Sequence, residues 1–347
     1  MKIGIVTVQV PFITGGAEIH ANSLKNELIA RGYDSDIITI PFKWYPPERI
    51  LDTMYMARLV DVEEVNGIKI NRIISMKFPA YYVQHSNKVA WILHQHRQAY
   101  ELYDTPYGDL HQSEMGHKVT LEIRRWDNIL LREFRSLFTN SKNVAMRLKK
   151  YNQIDAESLY HPPSKHNYFH CEEFGDFILY PGRFDSIKRQ HLIVEAIAKT
   201  QYPVNLVLIG PHDSQYGRSI FEMVDRLGLN DRVHLLGVID ESEKIGLYAK
   251  CLAVYNGVYE EDYGYVTLEG FFSKKPVITH YDSGGPLEFV VDNYNGFIVE
   301  PDSQEIAIKL DSFFKNKKLA KQMGEAGYHT VLEKNISWDY VIERLLS

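Results

Sequence analysis

Residues 252–280 read LAVYNGVYEEDYGYVTLEGFFSKKPVITH and contain two apolar runs with a helical pattern between them. The runs LAVYNG (252–257) and PVITH (276–280) are short and apolar, which predicts strands buried on both faces. The segment YGYVTLEGFF (263–272) has the length and composition of a helix. A strand, a helix and a second strand in this order predict a parallel βαβ unit.

The same alternation of apolar runs and amphipathic segments extends over most of the chain. Further strands are predicted at 3–8, 36–40, 68–74, 89–94, 136–141, 177–182, 204–210, 233–237 and 296–300. Further helices are predicted at 17–32, 118–135, 191–200, 219–228, 242–251, 304–314 and 337–346. The fold class is therefore α/β, with two Rossmann-like domains whose parallel sheets face a central cleft.

A break in the alternation separates the two halves. The stretch HPPSKHNYFHCEEFGD (161–176) has two prolines and few aliphatic residues, which is typical of a linker. We expect an N-terminal domain over 1–162, a linker over 163–176 and a C-terminal domain over 177–334. The last helix can belong to either domain, and one arrangement packs residues 335–347 back on the first.

Composition limits the class of protein. The chain has 347 residues and a net charge of −6, which suits two domains and argues against nucleic acid as the main partner. The two cysteines, Cys171 and Cys251, form no disulfide framework, so we expect a reducing cytoplasm. The start MKIGIVTVQV predicts a core strand and not a signal peptide, and no stretch approaches the length of a membrane span.

Two glycines, Gly15 and Gly16, lie between the first strand and its helix. Glycines at this position let a ligand approach the backbone, and the amides of a helix start favour an anion. A tight turn with a packing role is the alternative interpretation. The chain has no GxGxxG motif, so a dinucleotide cofactor is not supported.

Two cations follow a strand in YPGRFDSIKRQ (180–190). Arg183 offers a bidentate fork and Lys188 a compact charge, and together they suit a diphosphate. Two solvated surface cations are the alternative. Their place between a strand end and a helix start favours an anion site.

Two acids flank a glycine in EEDYGYVTLEG (260–270). Gly264 marks the predicted start of a helix, so Glu269 lies inside the helix and Glu261 in the loop before it. Helix amides near Gly264 and Tyr265 could hold a phosphate, and an acid beyond it could accept hydrogen bonds from sugar hydroxyls. The alternative is a capping acid followed by an ordinary helical glutamate.

The segment EDYGYVTLEGF, followed by KKPVITHYDSGGPLE, closely resembles the signature of the retaining GT-B glycosyltransferases of the GT4 family. That signature has two glutamates with seven residues between them, an aromatic-glycine pair in that spacer, a Pro-Val-Ile strand and a Gly-Gly loop. Two further family motifs are present, G-R-x-x-x-x-K as Gly182-Arg183 with Lys188, and an N-terminal Gly-Gly loop as Gly15-Gly16. The resemblance covers nearly the whole chain in order.

The resemblance implies roles for these residues in binding the donor. It assigns Arg183 and Lys188 to the donor diphosphate, Glu269 to the ribose hydroxyls and Glu261 to hydroxyls of the transferred sugar. It places Gly16 near the phosphates from the opposite domain. The other implied donor contacts are Gly15, Gly182, Tyr263, Gly264 and Tyr265.

A histidine after an N-domain strand is also implied, near the donor sugar and the acceptor. His94 in WILHQHRQAYELYD matches it, and His96 is the alternative. We place Arg97, together with His96, toward the acceptor. Each isolated histidine can equally be structural, because the chain has 14 of them.

The implied chemistry is transfer of a sugar from a nucleotide-diphosphate donor, with UDP or GDP as the expected nucleotide and no cofactor. Arg183, Lys188 and the helix start could stabilise the charge on the departing diphosphate. No DxD motif is present, so we predict metal independence. The resemblance implies retention of configuration, although Glu261 as the general base of an inverting enzyme stays open.

The sequence leaves three alternative interpretations open. A metal site at His166, His170 and Cys171 lacks a second ligand pair. A GT-B phosphorylase or nucleotide-sugar epimerase, and a non-catalytic nucleotide-sugar-binding protein, are alternatives to a transferase acting on a glycan or lipid-linked acceptor.

Residues 118–150 hold nine Lys/Arg and three Asp/Glu, a net +6. This surface is either merely solvated or contacts the anionic inner face of a membrane.

Overall fold

The computed structural model describes residues 1–13, 15–334 and 336–347, and the chain divides into two compact units. Unit 1 comprises Met1–Ser164 and Ser337–Ser347, and unit 2 comprises Lys165–Ile336. Each unit contains a six-stranded sheet in which every pair of neighbouring strands is parallel. The prediction of two Rossmann-like domains is confirmed.

Unit 1 has the strand order β2-β1-β5-β6-β7-β8, with β3 and β4 forming a separate antiparallel pair. Its strands are β1 (Lys2–Gln9), β2 (Asp34–Pro41), β3 (Glu64–Val65), β4 (Ile68–Lys69), β5 (Arg72–Lys77), β6 (Lys88–His94), β7 (Ser136–Thr139) and β8 (Glu157–Ser158). Its helices before residue 164 are α1 (Gly16–Ala30), α2 (Glu48–Leu59), α3 (Glu114–Leu130) and α4 (Lys142–Asn152).

One predicted strand of unit 1 is wrong. The run 68–74 is divided, because Ile68–Lys69 turns back on Glu64–Val65 and the sheet strand begins only at Arg72. Asn66 and Gly67 both have positive φ, 51° and 74°. An Asn-Gly pair with this geometry is a preferred two-residue hairpin turn, and it outweighs the apolar character of the run.

The long helix of unit 1 begins earlier than its apolar pattern predicts. It covers Glu114–Leu130 and not 118–135. Ser113 caps it, since the Ser113 side chain accepts a hydrogen bond from the Gly116 amide at 3.0 Å. The cap therefore determines the start, and a short 3₁₀ turn (Leu131–Glu133) replaces the predicted last turn of the helix.

Unit 2 has the strand order β11-β10-β9-β12-β13-β14, and the predicted strands of this half are all present. They are β9 (Phe177–Pro181), β10 (Asn205–Ile209), β11 (Val233–Gly237), β12 (Ala253–Asn256), β13 (Val277–His280) and β14 (Gly296–Val299). The helices are α5 (Gln190–Lys199), α6 (Gln215–Arg226), α7 (Glu241–Lys250), α8 (Tyr265–Phe272), α9 (Ser303–Lys315) and α10 (Lys317–Glu333).

The last helix, α11 (Trp338–Leu346), packs against unit 1. Its buried residues Val341 and Leu345 belong to the same apolar cluster as Ile3 of β1 and Leu24 of α1. Arg72 of β5 donates a hydrogen bond to the Leu345 carbonyl at 2.9 Å. The chain thus returns to the sheet with which it began.

The sheet of unit 1 is buried on both faces, as expected for parallel strands covered by helices. Neighbouring residues of β5 show this division, since Ile73 packs in one apolar cluster and Ile74 in the other. Within the described part of the chain, no helix is both long and apolar enough to cross a bilayer.

Candidate functional site

The carboxyl ends of β9 and β12 meet at the point of unit 2 where the strand order reverses. From β9 the chain adds β10 and β11 on one side, and then β12, β13 and β14 on the other. Loops that diverge at such a point leave a crevice beyond the strand ends, where ligands bind in open α/β sheets. Gly182 directly follows β9, and Glu261 lies in the loop after β12.

Lys188 ends the short turn between β9 and α5. The Tyr180 hydroxyl donates a hydrogen bond to the Lys188 carbonyl, and the Lys188 ammonium forms an ion pair with the Glu261 carboxylate. Arg183, earlier in the same loop, has a side chain that is 61% exposed and lies 3.7 Å from Asp185. Lys188 is therefore held in place, whereas the Arg183 guanidinium extends into solvent.

The loop after β12 is hydrogen-bonded to the loop after β13. The Glu261 amide donates to the Ser283 carbonyl and the Gly285 amide donates to the Glu261 carbonyl, both at 2.8 Å. The Glu260 amide donates to the Asp282 carbonyl, also at 2.8 Å. These bonds fix the backbone of Glu261, and so they fix the position from which its carboxylate reaches Lys188.

Gly264 is the residue before α8 and has a φ of 98°. A Cβ at Gly264 would lie 3.0 Å from Pro286 Cγ, and a Cβ at Gly285 would lie 2.6 Å from the Tyr263 carbonyl oxygen. Position 264 therefore favours glycine on both conformational and steric grounds. The close approach brings the loop after β13 beside the N-terminus of α8, the positive end of the helix dipole.

Glu269 lies inside α8 and is 8% exposed. Its carboxylate accepts hydrogen bonds from Lys244 Nζ at 2.9 Å and from the Tyr248 hydroxyl at 2.7 Å, one on each oxygen. Burial lowers the pKa of Lys244, but the carboxylates of Glu269 and Glu241 outweigh burial and raise it. An ionised carboxylate has about four acceptor positions, so Glu269 keeps capacity for further donors.

Arg189 is a residue of this site that sequence reasoning missed. It is 4% exposed, and its guanidinium donates to both carboxylate oxygens of Asp282 at 2.7 and 2.8 Å. It also donates to the carbonyls of Gly257 at 2.8 Å and Val258 at 3.0 Å. Arg189 thus joins the loops that follow β9, β12 and β13. The sequence signals were that Arg189 directly follows Lys188 and that Asp282 directly precedes Ser-Gly-Gly.

In unit 1, the glycine loop after β1 is bound to the first turn of α1. The Gly15 amide donates to Glu18 Oε2 at 2.8 Å, and Glu18 Oε1 forms an ion pair with Lys77 Nζ at 2.8 Å. Gly16 is the first residue of α1. The Gly15 amide therefore already has an acceptor from its own helix, and Lys77 brings a cation from the end of β5 to this turn.

The two predicted histidines lie in different environments, His94 as the last residue of β6 and His96 just after it. His94 is half-buried, with Nδ1 2.7 Å from the Gln95 carbonyl oxygen, whereas His96 is 9% exposed. Burial and the neighbouring His94 lower the pKa of His96 to about 3, so its ring is neutral at pH 7. Arg97 Nε forms an ion pair with Glu101 at 2.6 Å.

The predicted site residues thus form two groups. In unit 2 the structure brings Lys188 and Glu261 into contact and places Arg183 in the same loop as Lys188. In unit 1 the Gly15-Gly16 turn and the His94–Arg97 segment both follow carboxyl ends of strands. Across residues 1–13, 15–334 and 336–347, no three His, Cys, Asp or Glu side chains are grouped so as to hold a metal ion.

A family model matches most of unit 2. Residues 172–330 match the model of glycosyl transferases group 1. The matched range begins and ends within unit 2, and it includes Arg183, Lys188, Glu261 and Glu269.

Among curated proteins, the chain is similar to the alpha-1,3/1,6-mannosyltransferase ALG2 of Mus musculus. The two are 32% identical over 124 residues, which is 36% of this chain and 30% of the mannosyltransferase. The similarity thus spans about a third of the relative's length.

Two solved structures share the fold over the whole chain. Sucrose-phosphate synthase from Thermosynechococcus elongatus has a TM-score of 0.81 at 19% identity, covering 99% of this chain and 97% of that one. HepE from Anabaena, in complex with UDP-glucose, has a TM-score of 0.70 at 17% identity, covering 100% and 98%. Residues 172–330, which carry the strand-end loops described above, thus match the glycosyl transferases group 1 family.

Proposed function

We propose that the chain transfers a sugar from a nucleotide-diphosphate donor to a glycan or lipid-linked acceptor, with retention of configuration and without a metal ion. The observation that carries the proposal is the Lys188–Glu261 ion pair at the reversal point of the unit 2 sheet. It joins a cation suited to phosphate and an acid suited to sugar hydroxyls at one place beyond the strand ends.

The donor is arranged along the loops of unit 2. Lys188 and Arg183 bind the diphosphate, with the first amides of α8 beside them, and they stabilise the charge that develops as the bond to the sugar breaks. Glu269, held by Lys244 and Tyr248, accepts hydrogen bonds from the ribose hydroxyls. Glu261 binds hydroxyls of the transferred sugar. Binding of UDP-glucose by HepE, which shares the fold, supports a nucleotide-sugar donor with UDP or GDP as the nucleotide.

For unit 1 we keep the roles that the family resemblance implies, with Gly15 and Gly16 assigned to the donor phosphates and His94 to the donor sugar. We choose His94 over His96 because His96 is buried among Phe42 and Phe78, whereas His94 is half-buried. His96 and Arg97 then support the acceptor side.

Retention is favoured over inversion by the surroundings of Glu261. An inverting enzyme needs a general base that can take a proton from the acceptor. The Glu261 carboxylate is instead held in an ion pair with the Lys188 ammonium. The family resemblance points the same way.

The test begins with thermal unfolding in the presence of UDP-, GDP-, ADP- and dTDP-sugars, because a ligand that binds the folded state raises apparent stability. We expect one donor class to raise Tm, and NMR to show its slow hydrolysis to a sugar of unchanged anomeric configuration, with and without EDTA. If no donor raises Tm or is hydrolysed, the proposal is wrong. Stabilisation without hydrolysis or transfer would favour a binding protein, and turnover only with added phosphate would favour a phosphorylase.

We further propose that α3 and α4, within residues 118–150, contact anionic lipid. Lys118, Arg125 and Lys149 have side chains that are 64%, 70% and 54% exposed, although each has an acidic neighbour. Leu121 and Ile129 are exposed between them, at 67% and 57%. Vesicles of phosphatidylglycerol should co-sediment the protein at low salt, and vesicles of phosphatidylcholine should not. Equal binding to both, or to neither, would contradict the proposal.

A further inference from the structure

A row of aromatic rings crosses the strand-end edge of unit 1. Phe42, Phe78 and His96 lie just beyond the carboxyl ends of β2, β5 and β6. The ring centroids of Phe42 and Phe78 are 6.1 Å apart, and His96 lies 6.1 Å from Phe42 and 5.1 Å from Phe78. The row continues outward to Trp44, 6.5 Å from Phe42, and then to Tyr45, 5.2 Å from Trp44.

The outer end of this row lines a cavity of about 500 Å³. Phe42, Trp44 and Tyr45 form its aromatic side, and Lys43 and Thr53 are its polar lining residues. Trp44 is 37% exposed and Tyr45 is 59% exposed, so both rings offer surface to a ligand. A volume between about 300 and 1,000 Å³, with apolar walls and a few polar groups, is typical of small-molecule sites.

The lining favours a sugar over a hydrocarbon chain. A pyranose has an apolar face of C–H groups that matches a flat aromatic ring, and hydroxyls around its edge that need hydrogen-bonding partners. Trp44 and Tyr45 supply rings with polar tips, and Lys43 and Thr53 supply a cation and a hydroxyl. A prenyl or acyl chain would leave the Lys43 ammonium, which lies 5.0 Å from the Tyr45 ring centroid, without a polar partner from the ligand.

The inner end of the row connects the cavity to the predicted acceptor side of the site. His96, the residue next to Arg97, packs on Phe42 and Phe78, and Phe42 also lines the cavity. A ligand in the cavity therefore lies at the same sheet edge as the His94–Arg97 segment, within unit 1 alone.

We propose that this cavity is a saccharide subsite, in which Trp44 and Tyr45 stack on a pyranose ring of the acceptor glycan and so determine which acceptors are used. The assignment to the acceptor rests on the proposed glycosyl transfer, whereas binding of a pyranose at Trp44 does not.

The test uses methyl α-glycopyranosides of glucose, mannose and galactose as probes, with saturation-transfer NMR as the readout. At least one should receive saturation, and Trp44→Ala should weaken that binding by about fivefold or more, as expected for loss of an aromatic stacking partner. Trp44→Phe, which keeps a ring, should retain most of it. Tyr55→Ala, an exposed tyrosine of α2 that does not line this cavity, is the matched control and should bind as the parent protein does.

Two results would overturn the inference. One is binding of the glycosides that is unchanged in Trp44→Ala, and the other is saturation of farnesyl phosphate alone, which would indicate a hydrocarbon site. Thermal shift by nucleotide sugars is measured on the same variants and should be unchanged, because the donor residues of unit 2 are untouched. Loss of glycoside binding with an intact donor shift thus separates failure of the subsite from failure of the proposed function.

Discussion

The two units have the same kind of sheet, yet their strand-end edges carry different side chains. In unit 2 the loops after β9, β12 and β13 are joined by ion pairs. Lys188 pairs with Glu261, and Arg189 pairs with Asp282. In unit 1 the loops after β2, β5 and β6 are joined mainly by the rings of the aromatic row. In the proposed function, the charge pairs position cations for a diphosphate and acids for hydroxyls, whereas the rings present apolar surface. One fold therefore supplies two kinds of binding surface, depending on which residues follow its strands.

The largest effect should come from removing the charge that joins three loops in unit 2. Arg189→Ala leaves the Asp282 carboxylate and two backbone carbonyls without their donors, so we expect a loss of about 3 kcal/mol in the free energy of unfolding. Urea unfolding measures the loss, and hydrogen exchange of residues 257–261 locates it. Arg183→Ala, an exposed cation of the same loop, is the control and should change stability by less than about 0.5 kcal/mol. Equal losses in both variants would show that Arg189 does not organise the site.

The two acids of unit 2 should differ in what they control. Glu269→Ala should weaken UDP or GDP binding by about 10- to 100-fold, because a charge-assisted hydrogen bond contributes about 1.5–3 kcal/mol. Glu261→Ala should change nucleotide affinity by less than about threefold and mainly lower kcat. Calorimetric titration and donor turnover provide the two readouts. If both variants changed nucleotide affinity and kcat to similar extents, the proposed roles of Glu269 at the ribose and Glu261 at the transferred sugar would be wrong.

Lys188 and Arg183 should contribute more to the binding of a nucleoside diphosphate than to that of a nucleoside monophosphate. Lys188→Ala and Arg183→Ala should each weaken UDP or GDP by about tenfold, from loss of a charge-assisted contact, and weaken UMP or GMP less. Lys315→Ala, at the end of α9, removes an exposed cation far along the chain from the motif and serves as the control. Affinity for the diphosphates that is unchanged in both site variants would show that the cations are merely solvated.

At acidic pH the two units should lose stability to different extents, with a smaller effect for each residue than in the predictions above. In unit 1 burial lowers the pKa of His20 and His96 to about 3 and that of His161 well below its usual value. The folded state keeps these histidines neutral, so each lowers the free energy of unfolding by about 1.4 kcal/mol per pH unit as pH falls below about 6.5. In unit 2, His280 has a pKa lowered to about 3 by burial and Arg189, and His191 is lowered by burial.

Asp127 of unit 1 acts in the opposite sense, because burial raises its pKa to about 6 and its proton stabilises the folded state as pH falls from about 6 toward 4. Three histidines less one acid leave two strongly shifted groups in unit 1, whereas unit 2 has one, His280, and the less shifted His191. Unit 1 should therefore lose more stability between pH 6.5 and 5, as measured by hydrogen exchange. His20→Phe should reduce that acid loss while keeping a ring against Trp91, which lies 4.3 Å away. Earlier opening of unit 2 would contradict this ranking.

Short-range signals predicted much of the fold and indicated the candidate donor residues. The strands of unit 2 are apolar runs of the right length, and Gly264 marks the start of α8 as its conformation requires. The hairpin at Asn66-Gly67 and the cap at Ser113 also have sequence signals, but the predictions of a strand at 68–74 and a helix at 118–135 rest on the apolar pattern alone. Arg189 escaped prediction because its partner Asp282 is distant in sequence, and only the adjacent positions of β9, β12 and β13 bring them together.

The sequence by itself determined the alternation of strands and helices, and with it two parallel sheets, because burial on both faces and the period of each element are local properties. It also indicated the candidate residues for the proposed diphosphate sugar. Tertiary structure decided which of them meet. Strand order places the loops after β9 and β12 side by side, so that Lys188 reaches Glu261, and it lines up Phe42, Phe78 and His96 in one row. These contacts join residues far apart in the chain, and no local pattern specifies them.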